Sequence, residues 1–178
     1  LRVLNRDWEF DPTNRVGIAQ GEITFENLKI FKDEQLLGVE GKISSDPEET
    51  LRIDIQNVSL DLLNTVTPYE FEGTTTGQLL LSNLQNQANF RGKISIADTE
   101  INQFPIGNLE ASASLSESEL ILDLVNDING VEKITANGTI GLDSKNLDLE
   151  ARLDEANLVI FEPFLSQYIT NLGGNMTG

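Results

Sequence analysis

Residues 90–96 read Phe90-Arg91-Gly92-Lys93-Ile94-Ser95-Ile96, with an apolar or small residue at every second position and polar residues between them. Successive side chains of a β-strand point to opposite faces, so this alternation predicts a strand with one apolar and one polar face. The same pattern occurs at residues 23–30, 39–43, 51–55, 109–115, 120–124, 134–142 and 147–153. The alternation therefore predicts an all-β chain.

Turn-forming residues separate the alternating stretches. They lie at Asp11-Pro12, Asp46-Pro47, 116–118, Asn129-Gly130 and 143–146. About a dozen short strands joined by such turns indicate an antiparallel meander with one long sheet. Glycines at positions 17, 41, 92 and 138 lie inside the alternating stretches and favour strong curvature of that sheet. A β-sandwich remains the alternative, because a second sheet could cover the apolar face.

Two stretches break the alternation and predict one or two short helices. Residues 60–63 have the composition of a single helical turn, and residues 162–169 place apolar side chains on one helical face behind Pro163. Both breaks belong to a suspected internal repeat, in which 41–77 resembles 138–178. Each copy is predicted to run strand, turn, strand, short helix and a new strand that follows glycine. Residues 1–178 are interpreted as one segment of a longer repetitive protein, because both ends look excised.

The composition argues against several classes of function. Twenty-nine acidic residues against 12 basic ones give a formal charge of -17, which disfavours binding to nucleic acid. The chain has no histidine and no cysteine, and it contains none of the common nucleotide-binding or hydrolase motifs. The acidic stretch 123–130 fails as a calcium loop, since Val125 stands at the first ligand position. We expect no enzyme activity, no cofactor and no metal.

The order of motifs resembles the TamB family of the AsmA-like superfamily. The similarity rests on G-x-I-x-F-x-N-L-x-I at 21–30, the strand-turn-strand at 41–55, the L-x-L-L break at 60–63 and the G-x-x-x-G opening at 73–77. The family supplies the inner-membrane component of the translocation and assembly module. The resemblance implies a U-shaped sheet, the β-taco, with an open apolar groove and no catalytic residues.

It further implies a periplasmic segment of a protein anchored in the bacterial inner membrane. Its partners would be phospholipid acyl chains and an outer-membrane protein of the BamA superfamily, similar to TamA. The groove would shield acyl chains during transport between the membranes, with a linked role in outer-membrane protein assembly. The expected lining residues are Ile53, Ile55, Leu79, Leu81, Phe90, Ile94, Ile96, Leu120, Leu122, Leu124, Ile134, Ile140, Leu149 and Leu153.

Two other functions are compatible with the same pattern. A scaffold or chaperone could pair its free sheet edge with strands of outer-membrane clients, because edge strands present unpaired backbone groups. A closed structural or adhesive β-domain would instead seal its apolar face with a second sheet.

Overall fold

Fifteen strands and two 3-10 helices follow one another in the described residues, which in this computed structural model are 2–3, 6–161 and 173–178. The 3-10 helices span Leu60–Thr65 and Leu158–Phe161. The strands are β1 (Arg2–Val3), β2 (Arg6–Asp7), β3 (Glu9–Phe10), β4 (Arg15–Ala19), β5 (Glu22–Lys32), β6 (Gln35–Ile43), β7 (Thr50–Ser59), β8 (Phe71–Ser82), β9 (Asn89–Ile101), β10 (Phe104–Ser116), β11 (Glu119–Ile128), β12 (Val131–Gly141), β13 (Leu147–Leu153), β14 (Ala156–Asn157) and β15 (Asn175–Met176).

Eleven of these strands form one antiparallel sheet. From β5 to β13 each strand pairs with the next one in the chain, and β3 and β4 both pair with the outer edge of β5. The sheet is open and does not close into a barrel. The predicted all-β meander with short helices is confirmed. In the described part of the chain the only other sheets have two strands each, so the stacked sheets of the sandwich alternative are not observed.

The predicted turns lie between strands, and their backbone explains the choice of residues. Asn129 and Gly130 have φ values of 56° and 75°, the left-handed pair that a two-residue hairpin requires. Asn102 and Gln103 make a similar turn at 50° and 66°, without a glycine that would announce it in the sequence. The turns keep strand connections short, so neighbours in sequence become neighbours in the sheet.

Irregularities in the strands recur at asparagine and aspartate. Asn27 in β5, Asn57 in β7 and Asp98 in β9 all have φ of 52°, and the pairing register shifts next to each of them. Asn and Asp tolerate the left-handed region better than other residues that carry a side chain. A bulge of this kind bends its strand and increases the local twist, so these residues help the long sheet to curve.

At two glycines on the apolar face, an added side chain would collide with the neighbouring strand. A Cβ atom on Gly138 would collide with the carbonyl oxygen of Asp148 and lie 2.8 Å from Cα of Leu149, both backbone atoms of β13. A Cβ atom on Gly92 would collide with a methyl group of Leu79. Such crowding on one face is the geometry expected where a sheet is concave.

In each segment of the suspected repeat the described residues include a 3-10 helix that comes after a strand. A residue with positive φ lies shortly before each helix, Asn57 at 52° before the first and Glu155 at 49° before the second. The first helix confirms the predicted turn at 60–63, and the Ser59 hydroxyl caps it by accepting from the N–H of Asp61 at 3.4 Å. The predicted helix at 162–169 lies outside the described residues.

Candidate functional site

One face of the sheet carries four cross-strand rows that are almost entirely apolar. Directly opposed residues of antiparallel strands share a face, so the pairing register defines each row. The rows are Gly41-Leu51-Leu81-Phe90-Leu115-Leu120-Ile140-Leu147, then Val39-Ile53-Leu79-Gly92-Ala113-Leu122-Gly138-Leu149, then Leu37-Ile55-Gly77-Ile94-Ala111-Leu124-Ala136-Ala151, and finally Val58-Thr75-Ile96-Leu109-Asn126-Ile134-Leu153. We call this surface the apolar face.

All fourteen residues expected to line a groove lie in these rows. Ile134 is buried with 6% exposure, Leu149 is 54% exposed, and the other twelve are half-buried. Side chains sealed between two sheets would be almost fully buried. The side chains of the apolar face are therefore partly covered by adjacent side chains of the same face. Within the described residues, no second sheet lies over them.

The opposite face of the same strands is polar and charged. Arg52 on β7 contacts the carboxylate of Glu40 at 2.5 Å, and Lys93 on β9 contacts Glu110 at 2.7 Å. These pairs are exposed, so each contributes little to stability. Ile121, 43% exposed between Ser114 and Thr139, is one of the few apolar side chains on this face. Charge is thus confined to one side of the central sheet.

Small residues in the rows divide the apolar face into ridges and furrows. Ala111 and Ala113 form a low strip along β10, and Ala136 and Gly138 form another along β12. Leu122 and Leu124 on β11 stand between the two strips as a ridge. The sequence pattern places these small residues on the apolar face, but the predicted lining does not include them. They form the floor of a furrow only because the side chains on the neighbouring strand are larger, which the pattern of a single strand does not show.

A cavity of about 320 Å³ lies where the apolar face meets the two 3-10 helices. Leu60 and Leu63 of the first helix and Phe161 of the second border it. The buried amide of Asn126 (2% exposed) lies in its wall and donates to the carbonyl oxygens of Ile106 and Asn108 at 2.8 and 3.1 Å. The rest of the lining is Phe71, Ile96, Thr99, Ile101, Ile106, Leu109, Leu124 and Ile134.

A second apolar cavity, of about 330 Å³, lies at the other end of the sheet. It is lined by residues of β3, β5, β6 and β7, with Phe10 of the short strand β3 at its border. Phe10 pairs with Ile30 and is 49% exposed. The apolar face therefore extends from β13 to β3.

Two groups in the described part of the chain have clearly shifted pKa values, and both lie away from these rows. The hydroxyl and the N–H of Thr13 both donate to Asp11 and hold the pKa of that carboxyl below its ordinary value of 3.8. A hydrogen bond to Glu49 and its charge raise the pKa of Lys42 above 10.5. Among the described residues no three histidine, cysteine, aspartate or glutamate side chains are grouped as metal ligands. The apolar face itself offers hydrophobic contact and no charged chemistry.

No family model matches this chain, and no significant match was found among curated proteins or solved structures. None of the helices in the described ranges has the length and hydropathy needed to cross a membrane.

Proposed function

We propose that this chain is a non-enzymatic hydrophobic β-groove that shields phospholipid acyl chains during transport between the inner and outer membranes, with a linked role in outer-membrane protein assembly. The observation that supports this most directly is the set of four apolar rows, which carry no charged residue across seven or eight strands and are open on one side. A surface of this kind matches hydrocarbon, which has no hydrogen-bonding groups to satisfy.

The size of the hydrophobic gain suits a carrier. Complete burial of a chain of about 15 carbons, at about 0.8 kcal/mol per methylene, contributes on the order of 10 kcal/mol. An open trough covers roughly half of that surface, which leaves about 5 kcal/mol and a dissociation constant of roughly 0.1–1 mM. Since the gain is non-directional, a chain bound this weakly moves along the rows without breaking specific contacts.

The proposed setting follows from the resemblance to the TamB family. The segment would lie in the periplasm as part of a protein anchored in the inner membrane, and it would work with a TamA-like protein of the BamA superfamily. A closed structural or adhesive domain is the less favoured reading, because it needs a sealed apolar face and the described residues leave that face half-exposed.

Site-specific photocrosslinking in cells tests the proposal. A photoreactive residue at Leu122 lies at the centre of the apolar face, and one at the adjacent Asp123 lies on the polar face beside Ser112 and Asn137. Phospholipid captured at Leu122 and not at Asp123 would support an occupied groove. Equal labelling, or none at either position in folded protein, would overturn it.

A matched pair of substitutions tests the same point with purified protein and a fluorescent fatty acid. Leu122→Asn puts an amide on the ridge of the apolar face, and Ile121→Asn makes the same kind of change on the polar face one residue away. We expect the first to weaken fatty-acid binding several-fold and the second to leave it unchanged. Ala113→Leu, which fills a furrow without adding polarity, should also weaken binding if the furrows hold the chain.

A further inference from the structure

A buried hydroxyl group lies in the wall of the cavity at the first 3-10 helix. Thr99 of β9 is 3% exposed and lines the cavity of about 320 Å³ that Leu60 and Leu63 border. Among the described residues, the oxygen of its side chain has no hydrogen-bond partner. A hydroxyl that is buried without a partner loses the hydrogen bonds that water gives it in the unfolded chain. Thr99 therefore lowers the stability of the ligand-free fold.

A bulge in β9 brings this hydroxyl to the apolar face. Strict alternation from Ile96 would place position 98 on the apolar face and Thr99 on the polar face. Ala97 and Asp98 instead stand opposite the single residue Asn108 of β10, and Asp98 has φ of 52°. Ile96 and Thr99, three residues apart, therefore both line the cavity. The bulge thus puts one polar side chain among apolar ones.

The rest of the described lining restricts what can satisfy the hydroxyl. It contains no charged side chain, and the amide of Asn126 already donates to the carbonyl oxygens of Ile106 and Asn108. Filling this volume with water would take on the order of ten molecules, most of them against hydrocarbon. An ionised ligand would lose its hydration without gaining an opposite charge. These surroundings favour a neutral ligand that is apolar apart from one oxygen.

We propose that this cavity binds a compact, neutral organic molecule whose single hydroxyl or carbonyl oxygen forms a hydrogen bond with Thr99. An apolar cavity of about 150 Å³ holds one benzene ring, so twice that volume suits roughly 10–12 non-hydrogen atoms. Small-molecule sites begin at roughly 300 Å³ and combine an apolar lining with a few polar groups. Such a discrete site differs from the furrows of the apolar face, along which an acyl chain has no fixed position.

Two fluorescent probes of equal size test the hydrogen bond in the complete chain. The probes are 2-naphthol and 2-methylnaphthalene, which differ by a hydroxyl in place of a methyl group. Thr99→Val removes the hydroxyl of the protein and keeps the shape of the side chain. We expect it to raise the ratio of the naphthol Kd to the methylnaphthalene Kd by roughly threefold to tenfold. Comparing ratios cancels the difference in hydrophobicity between the two probes.

Thr75→Val is the matched control. Thr75 also lies on the apolar face, is 8% exposed and has no hydrogen-bond partner for its hydroxyl among the described residues, but it is outside the described lining of the cavity. Both substitutions remove an unpaired buried hydroxyl, so each should raise the Tm of the ligand-free chain by roughly 2–4 °C. Only Thr99→Val should change the ratio of the two dissociation constants.

Three results would overturn the proposal. The first is a ratio that Thr99→Val leaves unchanged, or no binding of either probe to the unmodified chain. The second is a lower Tm of Thr99→Val, which would show that the hydroxyl is already paired in the free chain. The third uses Ala113→Leu, which fills a furrow two rows away from Leu109 in the cavity wall. Naphthol binding that this substitution weakens as much as fatty-acid binding would place the probe in the furrow.

Discussion

Replacing glycine with alanine at two positions in the sheet tests whether close approach of the strands shapes the apolar face. Gly138→Ala adds a methyl group that meets backbone atoms of Asp148 and Leu149 in β13. Gly17→Ala adds the same group where the nearest atom is Cβ of Thr24, at 3.9 Å, an ordinary contact. The two substitutions are chemically identical, so the difference between them reports the local geometry.

The structure sets the expected magnitudes. Replacing a strand glycine by alanine without strain stabilises a protein by about 0.5–1 kcal/mol, because the unfolded chain loses conformational freedom. At Gly138 the clash is with backbone, so the strands must shift, which costs about 1–3 kcal/mol. We therefore expect Gly17→Ala to be neutral or slightly stabilising and Gly138→Ala to be destabilising by about 1–2 kcal/mol. Gly92→Ala should fall between them, since the group it meets is a Leu79 methyl that can rotate away.

Urea unfolding followed by circular dichroism and by Trp8 fluorescence measures these free energies. Trp8 is the single tryptophan of the chain and is 3% exposed, so its emission reports exposure on unfolding. In a chain of this length about 1 kcal/mol corresponds to roughly 2–4 °C in Tm, which gives an independent check. Gly138→Ala as stable as Gly17→Ala would show that β12 and β13 do not approach closely on the apolar face, and the argument for its concave shape would fail.

Two further predictions concern polar groups. Asn126→Ala should lower the free energy of unfolding by about 1–3 kcal/mol, because the carbonyl oxygens of Ile106 and Asn108 lose a buried donor. Urea unfolding measures this change, and an unchanged midpoint would contradict the two hydrogen bonds of the Asn126 amide. The carboxyl of Asp11 has a lowered pKa in the folded chain, so its contribution to stability is present above the unfolded value of 3.8 and is lost as pH falls through the folded value. Thr13→Val removes the hydroxyl donor and should raise the pKa of Asp11 toward 3.8 in an NMR titration. An unchanged pKa would show that the Thr13 hydroxyl is not the cause of the shift.

The strand alternation made much of the fold predictable, because a half-buried strand repeats every two residues. Residues 90–96 and 120–124 are strands with the expected faces, and the Asn129-Gly130 hairpin follows from the turn preference of that dipeptide. The 3-10 helix at Leu60–Thr65 was predictable as a break in the alternation. In each case a short-range rule decides the outcome.

The bulges and the furrows could not be predicted by the same rules. Asn57 adopts φ of 52° inside a strand, and nothing in Gln56-Asn57-Val58 distinguishes it from an exposed polar residue. The furrow at Ala136 depends on the side chains of β11 beside it. These features depend on register between strands, which single-strand periodicity does not contain.

The same small residues account for both the curvature of the sheet and the furrows on its apolar face. At Gly138 any side chain would meet the backbone of β13, so a glycine permits the close approach of the two strands. The lack of a side chain at that position also leaves the floor low beside the ridge at Leu122. A substitution that fills the floor at Gly138 therefore also pushes β12 and β13 apart, whereas Ala113 already carries a Cβ and can be enlarged with less effect on the backbone. Acyl-chain binding is thus best probed at Ala113, and the shape of the sheet at Gly138.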